Sequence, residues 1–339
     1  MCFHEIHKNK TIKSIFQIGL SILAVVAITT FCVSSAINNN KVSDKYVASD
    51  ANIAQKHNTR VDELVQSGEL IGTPTYYVEQ TQGQEITDGL LGFEFTVLDV
   101  GQGSCTLIEC DGHYLLFDGG DRDTSSYVFS YLQNSKKIEY FDYVVASHYD
   151  SDHIAGLIGV IKKFPVKCIL GAPYTADTKT YFSFYSACEN SCGLTYPTPG
   201  DSFMLGSAMC QVVSPVGLEY KDENSYSIGL RITYGTTSFI IMGDSTKESE
   251  IESVDAGLIP QTDILVVNHH GSASSSSDEF INAVSPKAAV ISVGSNNEFG
   301  HPTEDVLNKL VTVPTYRTDI NGAVTFVSNG EVIEIYTER

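Results

Sequence analysis

Basic residues are scarce in this chain: 21 Lys and Arg stand against 41 Asp and Glu, for a formal net charge of -20. A field of that sign repels nucleic acid and anionic lipid unless local cations intervene. The sequence also shows no basic stripe that would track a phosphate backbone. The acidity belongs to the later part of the chain, because through Arg60 the basic residues outnumber the acidic ones. The eight cysteines include no CxxC pair, so a thiolate zinc site has no support. Cys188 and Cys192 lie four apart on an expected helix, where they face one side and can pair or stay free. Most of the other thiols read as small core residues. A GK[ST] phosphate loop, a Ser-His-Asp arrangement and an internal repeat are all missing. What is present suits a globular protein: 339 residues, 42% of them hydrophobic, enough for one large domain or two ordinary ones.

Residues 14–36, SIFQIGLSILAVVAITTFCVSSA, carry no charge and match the ~20 residues that a bilayer-spanning helix needs. Lys8, Lys10 and Lys13 make the preceding flank basic, which places 1–13 in the cytoplasm and the rest of the chain outside it. Ser34-Ser35-Ala36 resembles a cleavage site, so a secreted protein is the rival reading. The run exceeds a usual signal core, and a retained single-pass anchor is preferred. Residues 37–90 are polar and read as a linker or stalk, with one candidate helix over 52–70. The domain proper is expected over 91–339.

Within that domain FEFTVLDV (93–100), SCTLIEC (104–110) and HYLLFD (113–118) are strand candidates joined by short turns. FDYVVA (141–146) reads as a buried strand followed by a helix at 154–164. A second succession has strands at 208–213, 227–234 and 237–242, a helix from Thr246, buried strands at 262–268 and 287–294, and a helix at 303–310. A closing hairpin turns on Asn329-Gly330. Two such successions predict an α/β fold of two sheets packed face to face with helices outside.

Between strand 141–146 and its helix lies SHYDSDH (147–153), which spaces His148, Asp150, Asp152 and His153 as HxDxDH. In a tight loop, alternate side chains converge on one point and their neighbours on a second. Paired ions in hydrolases sit ~3.5–4 Å apart. Helix capping by Asp152 explains one acid, but not two histidines and a second acid.

This motif resembles the HxHxDH signature of the metallo-β-lactamase fold, with Asp150 in place of the second histidine. The variant, with the strands before it, looks like the hydrolase domain of the ComEC-type DNA-internalisation competence proteins. The likeness covers residues 92–337. It rests further on FTVLDVGQGSCTLIE, LLFDGG (115–120), IIMGD (240–244), VVNHHGS (266–272), FGHPTEDVL (299–307) and YRTDINGAVTF (316–326), in that order. The resemblance implies a four-layer αββα sandwich, here preceded by the transmembrane helix expected over 14–36. It also implies a binuclear centre of two divalent ions, Zn²⁺ or Mn²⁺, with Asp244 bridging. The residues agree: Asp244 follows an apolar strand and Gly243, and His269-His270 end a buried strand before Gly271. One ion is expected on Asp152, His153, Asp244 and His269, the other on His148, Asp150 and the shared Asp244. His270 is expected outside the ligand set or against substrate, Asp118 to orient a ligand histidine, and His301 to donate a proton or touch substrate. Asp150 or Asp152 is expected to orient the attacking water or take its proton.

Two departures qualify the likeness. No histidine occurs from Ile154 to Gly243, where such folds supply another ligand, and the polar Asn224 or Ser225 lies near that stage. Ser104 also stands where the family's GQGD carries its acid. The oxygen-rich set shifts preference towards Mn²⁺ relative to thiolate zinc sites. The expected function is a membrane-anchored extracellular metal-dependent phosphodiesterase or nuclease, acting on single-stranded DNA or another phosphodiester. A hydrolase of small esters, lactones or lactams is the alternative, which the acidic charge favours. A non-catalytic surface binding protein is the third, opposed by the near-complete ligand set.

Overall fold

A computed structural model describes residues 76–79 and 92–339. Among them, sixteen strands form two mixed sheets. The larger runs β1 (Tyr76–Glu79), β16 (Val332–Thr337), β15 (Val324–Ser328), β2 (Phe93–Val97), β3 (Thr106–Cys110), β4 (His113–Phe117), β5 (Phe141–Ala146), β6 (Val166–Gly171) and β7 (Leu194–Thr195). The smaller runs β14 (Thr315–Arg317), β13 (Ala288–Ile291), β12 (Ile264–Val266), β11 (Thr237–Ile241), β10 (Gly229–Tyr234), β9 (Ala208–Ser214) and β8 (Ser202–Leu205).

The two-residue period of the strands divides their side chains between layers. Phe93, Phe95 and Val97 of β2 meet Leu230, Ile232, Phe239 and Ile241 of the other sheet in one buried apolar layer. Phe95 stacks on Phe239 there at 5.2 Å between ring centroids. The opposite phase, Leu107, Leu116 and Val144, packs outward against helices α1 (Ser125–Ser130), α2 (Ser151–Lys163) and α3 (Lys179–Glu189). On the far side Ile240, Leu265, Ala289 and Ile291 pack against α5 (Asp278–Val284) and α6 (Glu304–Lys309), beside α4 (Lys247–Asp255). Each fully buried Leu, Ile or Phe contributes about 1.5–3 kcal/mol of transfer free energy to these layers.

Helix α2 shows how local sequence sets the entrance to the site. Asp150 is its N-cap residue, Asp152 lies in its first turn and Lys162 and Lys163 in its last, so the charges complement the helix dipole. Pro165 follows its end, where a proline disfavours continuing the helix. Glycines allow the first turns to approach the loop after β4. A Cβ on Gly156 would lie 1.9 Å from the Gly119 carbonyl oxygen, and Gly119 N–H donates to the His153 carbonyl at 2.7 Å.

Three expectations need correction or placement. The polar stretch expected to run as a linker to residue 90 contains β1, whose Tyr76 to Glu79 pair antiparallel with Ile335 to Val332. The larger sheet thus takes in Tyr76–Glu79, within the stretch expected to be linker. TYYVE is strand-prone by its aromatic and β-branched content, and β16 offers an open edge. The apolar run 14–36 and the candidate helix 52–70 lie outside the described residues. Among the described residues no helix is long and apolar enough to cross a membrane. Cys188 is buried and Cys192 exposed, and both are free thiols.

Candidate metal centre

The site residues follow the carboxyl ends of strands from both sheets, where side chains leaving adjacent strands converge. Asp118 follows β4, His148 follows β5, Asp244 lies three residues past β11, and His269 and His270 lie on a short turn, Asn268–Gly271, beyond β12. His301 comes from the loop after β13.

Ser147, not anticipated from the sequence, organises the first histidines. Its N–H donates to Asp118 Oδ1 and its hydroxyl to Asp118 Oδ2, both at 2.8 Å. With its proton so committed, Ser147 Oγ accepts from His148 Nδ1 at 3.0 Å. His153 Nδ1 donates to Asp118 Oδ2 at 2.8 Å, because an ionised carboxylate only accepts. His270 Nδ1 donates to the Ser292 carbonyl at 2.7 Å. Each imidazole is thus held by one nitrogen, with the other turned inward. The inward Nε2 atoms of His148, His153 and His270 are buried and make no hydrogen bond.

Carboxylates meet them in the centre. Asp244 Oδ1 lies 3.3 Å from His153 Nε2, and its Oδ2 lies 3.5, 3.7 and 4.0 Å from Nε2 of His269, His270 and His148. Asp152 Oδ2 lies 3.5 Å from His270 Nε2 and 3.8 Å from His153 Nε2. Asp150 Oδ2 lies 3.6 Å from His148 Nε2, with half of its side chain open to solvent. Two groups have ligand atoms close enough together to hold an ion: His148, His153 and Asp244, and Asp152, His153 and His270. Orphaned buried nitrogens facing carboxylates are the donor set of a divalent cation site, so the residues fit such a group.

The sequence expectation has His269 as the ligand and His270 outside the set; both reach Asp244, at 3.5 and 3.7 Å from their Nε2 atoms. His270 is the buried member of the second group, whereas His269 sits at the rim with 20% of its side chain exposed and Nδ1 near Ser274 Oγ. Both histidines have left-handed backbones, with φ of 53° and 56°. Strand alternation ends there, so parity could not say which ring points in. That conformation costs ~1–2 kcal/mol per residue. It persists because His269 N–H donates to the Gly243 carbonyl and the turn is tied to the buried Glu250. Asn224 is another departure. It sits on a turn whose buried member is Ser225, bonded to Thr246 at 2.7 Å, while the Asn224 N–H donates to Asp222. The sequence identified that stage but not which residue turns inward. His301 lies with its ring 5.7 Å from that of His269.

The electrostatics follow from this crowding. Burial acts to raise the Asp152 pKa, but His153 and His270 outweigh it and hold the carboxyl down at about 2. Asp244 is likewise held well below the carboxylate range, against its burial, by the surrounding imidazoles. The neighbouring His148 imidazole lowers Asp150, against its partial burial. Burial alone would lower His153, yet Asp244, Asp118 and Asp152 push it well above the imidazole value. His270 moves in the same direction against its burial, drawn by Asp244 and Asp152. Burial lowers His269, and likewise His301, where His269 and His270 add to the effect.

A ligand imidazole must be deprotonated. The surrounding carboxylates favour the charged form of His153 and His270 in the ion-free centre, so loading Zn²⁺ or Mn²⁺ is expected to release protons. A pH indicator in weak buffer reads this directly. Loading with no proton release would contradict His153 and His270 as ligands.

A family model described as the Metallo-beta-lactamase superfamily matches residues 98–295. The chain is 28% identical over 253 residues to ComE operon protein 3 of Bacillus subtilis, a match covering 69% of this chain and 33% of that protein. It is 33% identical over 236 residues to Competence protein ComA of Neisseria gonorrhoeae, covering 68% of this chain and 32% of that one. The chain therefore spans about a third of the length of these curated relatives. Among solved structures, the metallo-beta-lactamase fold protein YhfI from Bacillus subtilis aligns with a TM-score of 0.47 at 14% identity, over 70% of this chain and 100% of that one.

Proposed function

Because the chain belongs to the metallo-β-lactamase superfamily, we propose that it holds two divalent cations, Zn²⁺ or Mn²⁺, and hydrolyses phosphodiesters. DNA is the substrate suggested by its competence-protein relatives. Residues 14–36 would anchor it with the hydrolase domain outside the cytoplasm. Protease added to intact cells should then remove that domain, and full protection would rule the anchor out.

The observation that carries the catalytic reading is the pair of ligand groups that meet at His153, with Asp244 in one and 3.7 Å from His270 of the other. An imidazole nitrogen has one lone pair, so His153 serves a single ion. A carboxylate has two oxygens, and Asp244, within 4.0 Å of four histidines, is the group able to serve both. Asp152, His153 and His270 would complete one site, and His148 with Asp150 the other. When bound, the ions supply a water activated near neutral pH and positive charge against the charge growing on the phosphoryl oxygens. Asp118 and Ser147 hold His153 and His148 in the tautomer that points Nε2 inward. Asp150, ionised and half open to solvent, is placed to accept a proton from the attacking water.

The acidic chain limits how substrate is held. With a net charge of -20, contact with phosphate is confined to the centre, so binding is local. The test is the purified full chain with Zn²⁺ or Mn²⁺ against single-stranded DNA, a short phosphodiester and a β-lactam. Both phosphodiesters should be cleaved at comparable rates. The salt slope on single strands should be shallow, equal to about one to three phosphates at roughly -0.7 each. Lactam or ester hydrolysis with no phosphodiester cleavage under any metal would transfer the case to a small-molecule hydrolase.

A further inference from the structure

The loop from Gly294 to Thr303, GSNNEFGHPT, holds an aromatic ring in solvent beside the centre. Phe299 is 70% exposed. A lone exposed phenylalanine is ordinary, but this one is stacked and its loop is pinned. Its ring lies on that of His301, with centroids 5.7 Å apart and planes within 24°. The His301 ring meets His269 edge-on, again at 5.7 Å, and His269 Nε2 lies 3.5 Å from Asp244. A short file of rings therefore leads from the surface to the ligand cluster.

The loop is braced along its length. Asn297 Nδ2 donates to the carbonyls of Gly294 and His301 at 3.0 and 2.7 Å, and its Oδ1 accepts from His301 N–H at 3.0 Å. Gly294 N–H donates to Gln102 Oε1 at 3.2 Å, and Thr303 N–H to the Gly271 carbonyl at 2.9 Å. Gly271 has φ of 83°, and a Cβ there would lie 2.5 Å from Pro302 Cβ. The missing side chain is what lets Pro302 seat and brings His301 against His269. Most of the ordering cost of displaying Phe299 is therefore met before any ligand arrives.

The chemistry of the loop selects the ligand. It contains no Lys or Arg, and the exposed Glu298 adjoins Phe299. A phosphate is disfavoured at this spot, whereas a flat uncharged ring is not. Stacking of bases on aromatic side chains is how proteins hold single strands without reading sequence, and it needs no basic groove. Resting on the phosphodiesterase reading above, we propose that the outer face of Phe299 is a base-stacking subsite, which holds a nucleobase of the single-stranded substrate while its phosphodiester sits at the metal centre.

The experiment compares the full chain with Phe299→Ala, Phe299→Leu and Phe299→Trp on a short single-stranded oligonucleotide and on its abasic counterpart. Phe299→Ala and Phe299→Leu should raise KM for the base-bearing strand about tenfold or more, with kcat unchanged. Phe299→Trp should keep wild-type KM, and the abasic strand should not distinguish the four proteins. A second arm follows quenching of a 2-aminopurine oligonucleotide by the same proteins in chelator, where no cleavage occurs. Quenching should survive in Phe299→Trp and be lost in Phe299→Ala. Cleavage with a KM indifferent to Phe299, or an equal KM rise on the abasic strand, overturns the subsite and leaves the phosphodiesterase reading standing. If no phosphodiester is cleaved with any metal, that reading fails, and the chelator arm still decides whether Phe299 binds bases.

Discussion

Asp244→Asn is expected to empty the centre and reduce hydrolysis by at least about a thousandfold. The substitution keeps shape and volume but removes the buried charge within 4.0 Å of four histidines. An amide cannot offer two anionic oxygens to two cations, and metal polarisation is worth several kcal/mol at the transition state, each 1.36 kcal/mol being tenfold in rate. Elemental analysis should show bound metal falling towards zero, while the circular dichroism spectrum stays that of the parent. A folded Asp244→Asn protein with its full metal content would rule out this ligand set.

A large loss of stability is expected at Glu250→Ala. Glu250 lies on α4 and is fully buried. Its Oε1 accepts from Asn268 Nδ2 and Ser276 N–H, and its Oε2 from Ser277 N–H, each at 2.7 Å. Burial raises its pKa, and the three donors only partly offset this. Alanine would leave three donors without an acceptor, at ~1–3 kcal/mol for each that water cannot reach. A total near 3 kcal/mol lowers Tm by about 6–12 °C in a domain of this size. Because Asn268 directly precedes His269 and His270, metal affinity should also fall about 10–100-fold. A melting temperature within a degree of the parent, with unchanged metal affinity, would show that this carboxylate does not hold the turn.

Legibility in the sequence tracked how strongly one physical signal dominated each segment. FDYVVA matches β5 from Phe141 to Ala146 because a continuous buried run with turn signals on both sides admits little else. The candidates at 93–100 and 262–268 ran long. In both, buried apolar residues continue after the ladder ends, at Leu98 and Val100 and at Val267. The short strands β8, β14 and β1 were missed because three or four residues of mixed polarity carry almost no periodicity. At the site, HxDxDH was legible because capping could not explain it. The choice between His269 and His270 was not, because two consecutive left-handed residues break the alternation on which such a choice rests. Ser147, Ser292 and Glu250 were invisible for another reason. They work through backbone groups and buried partners distant in sequence, and their identity alone carries no mark of that task.

Strand β1 has a further consequence. It shields the outer rim of β16 over four residues, Val332 to Ile335. A chain cut just before Phe93 would keep every proposed ligand yet leave β16 as an open seam of unpaired amides and carbonyls. Such a rim is a template for end-to-end polymerisation. Solubility of an isolated segment that starts at Phe93 is thus expected to hinge on a tetrapeptide far from the ligand cluster in sequence, which makes Tyr76 a better starting point for excision than the change in composition at residue 91.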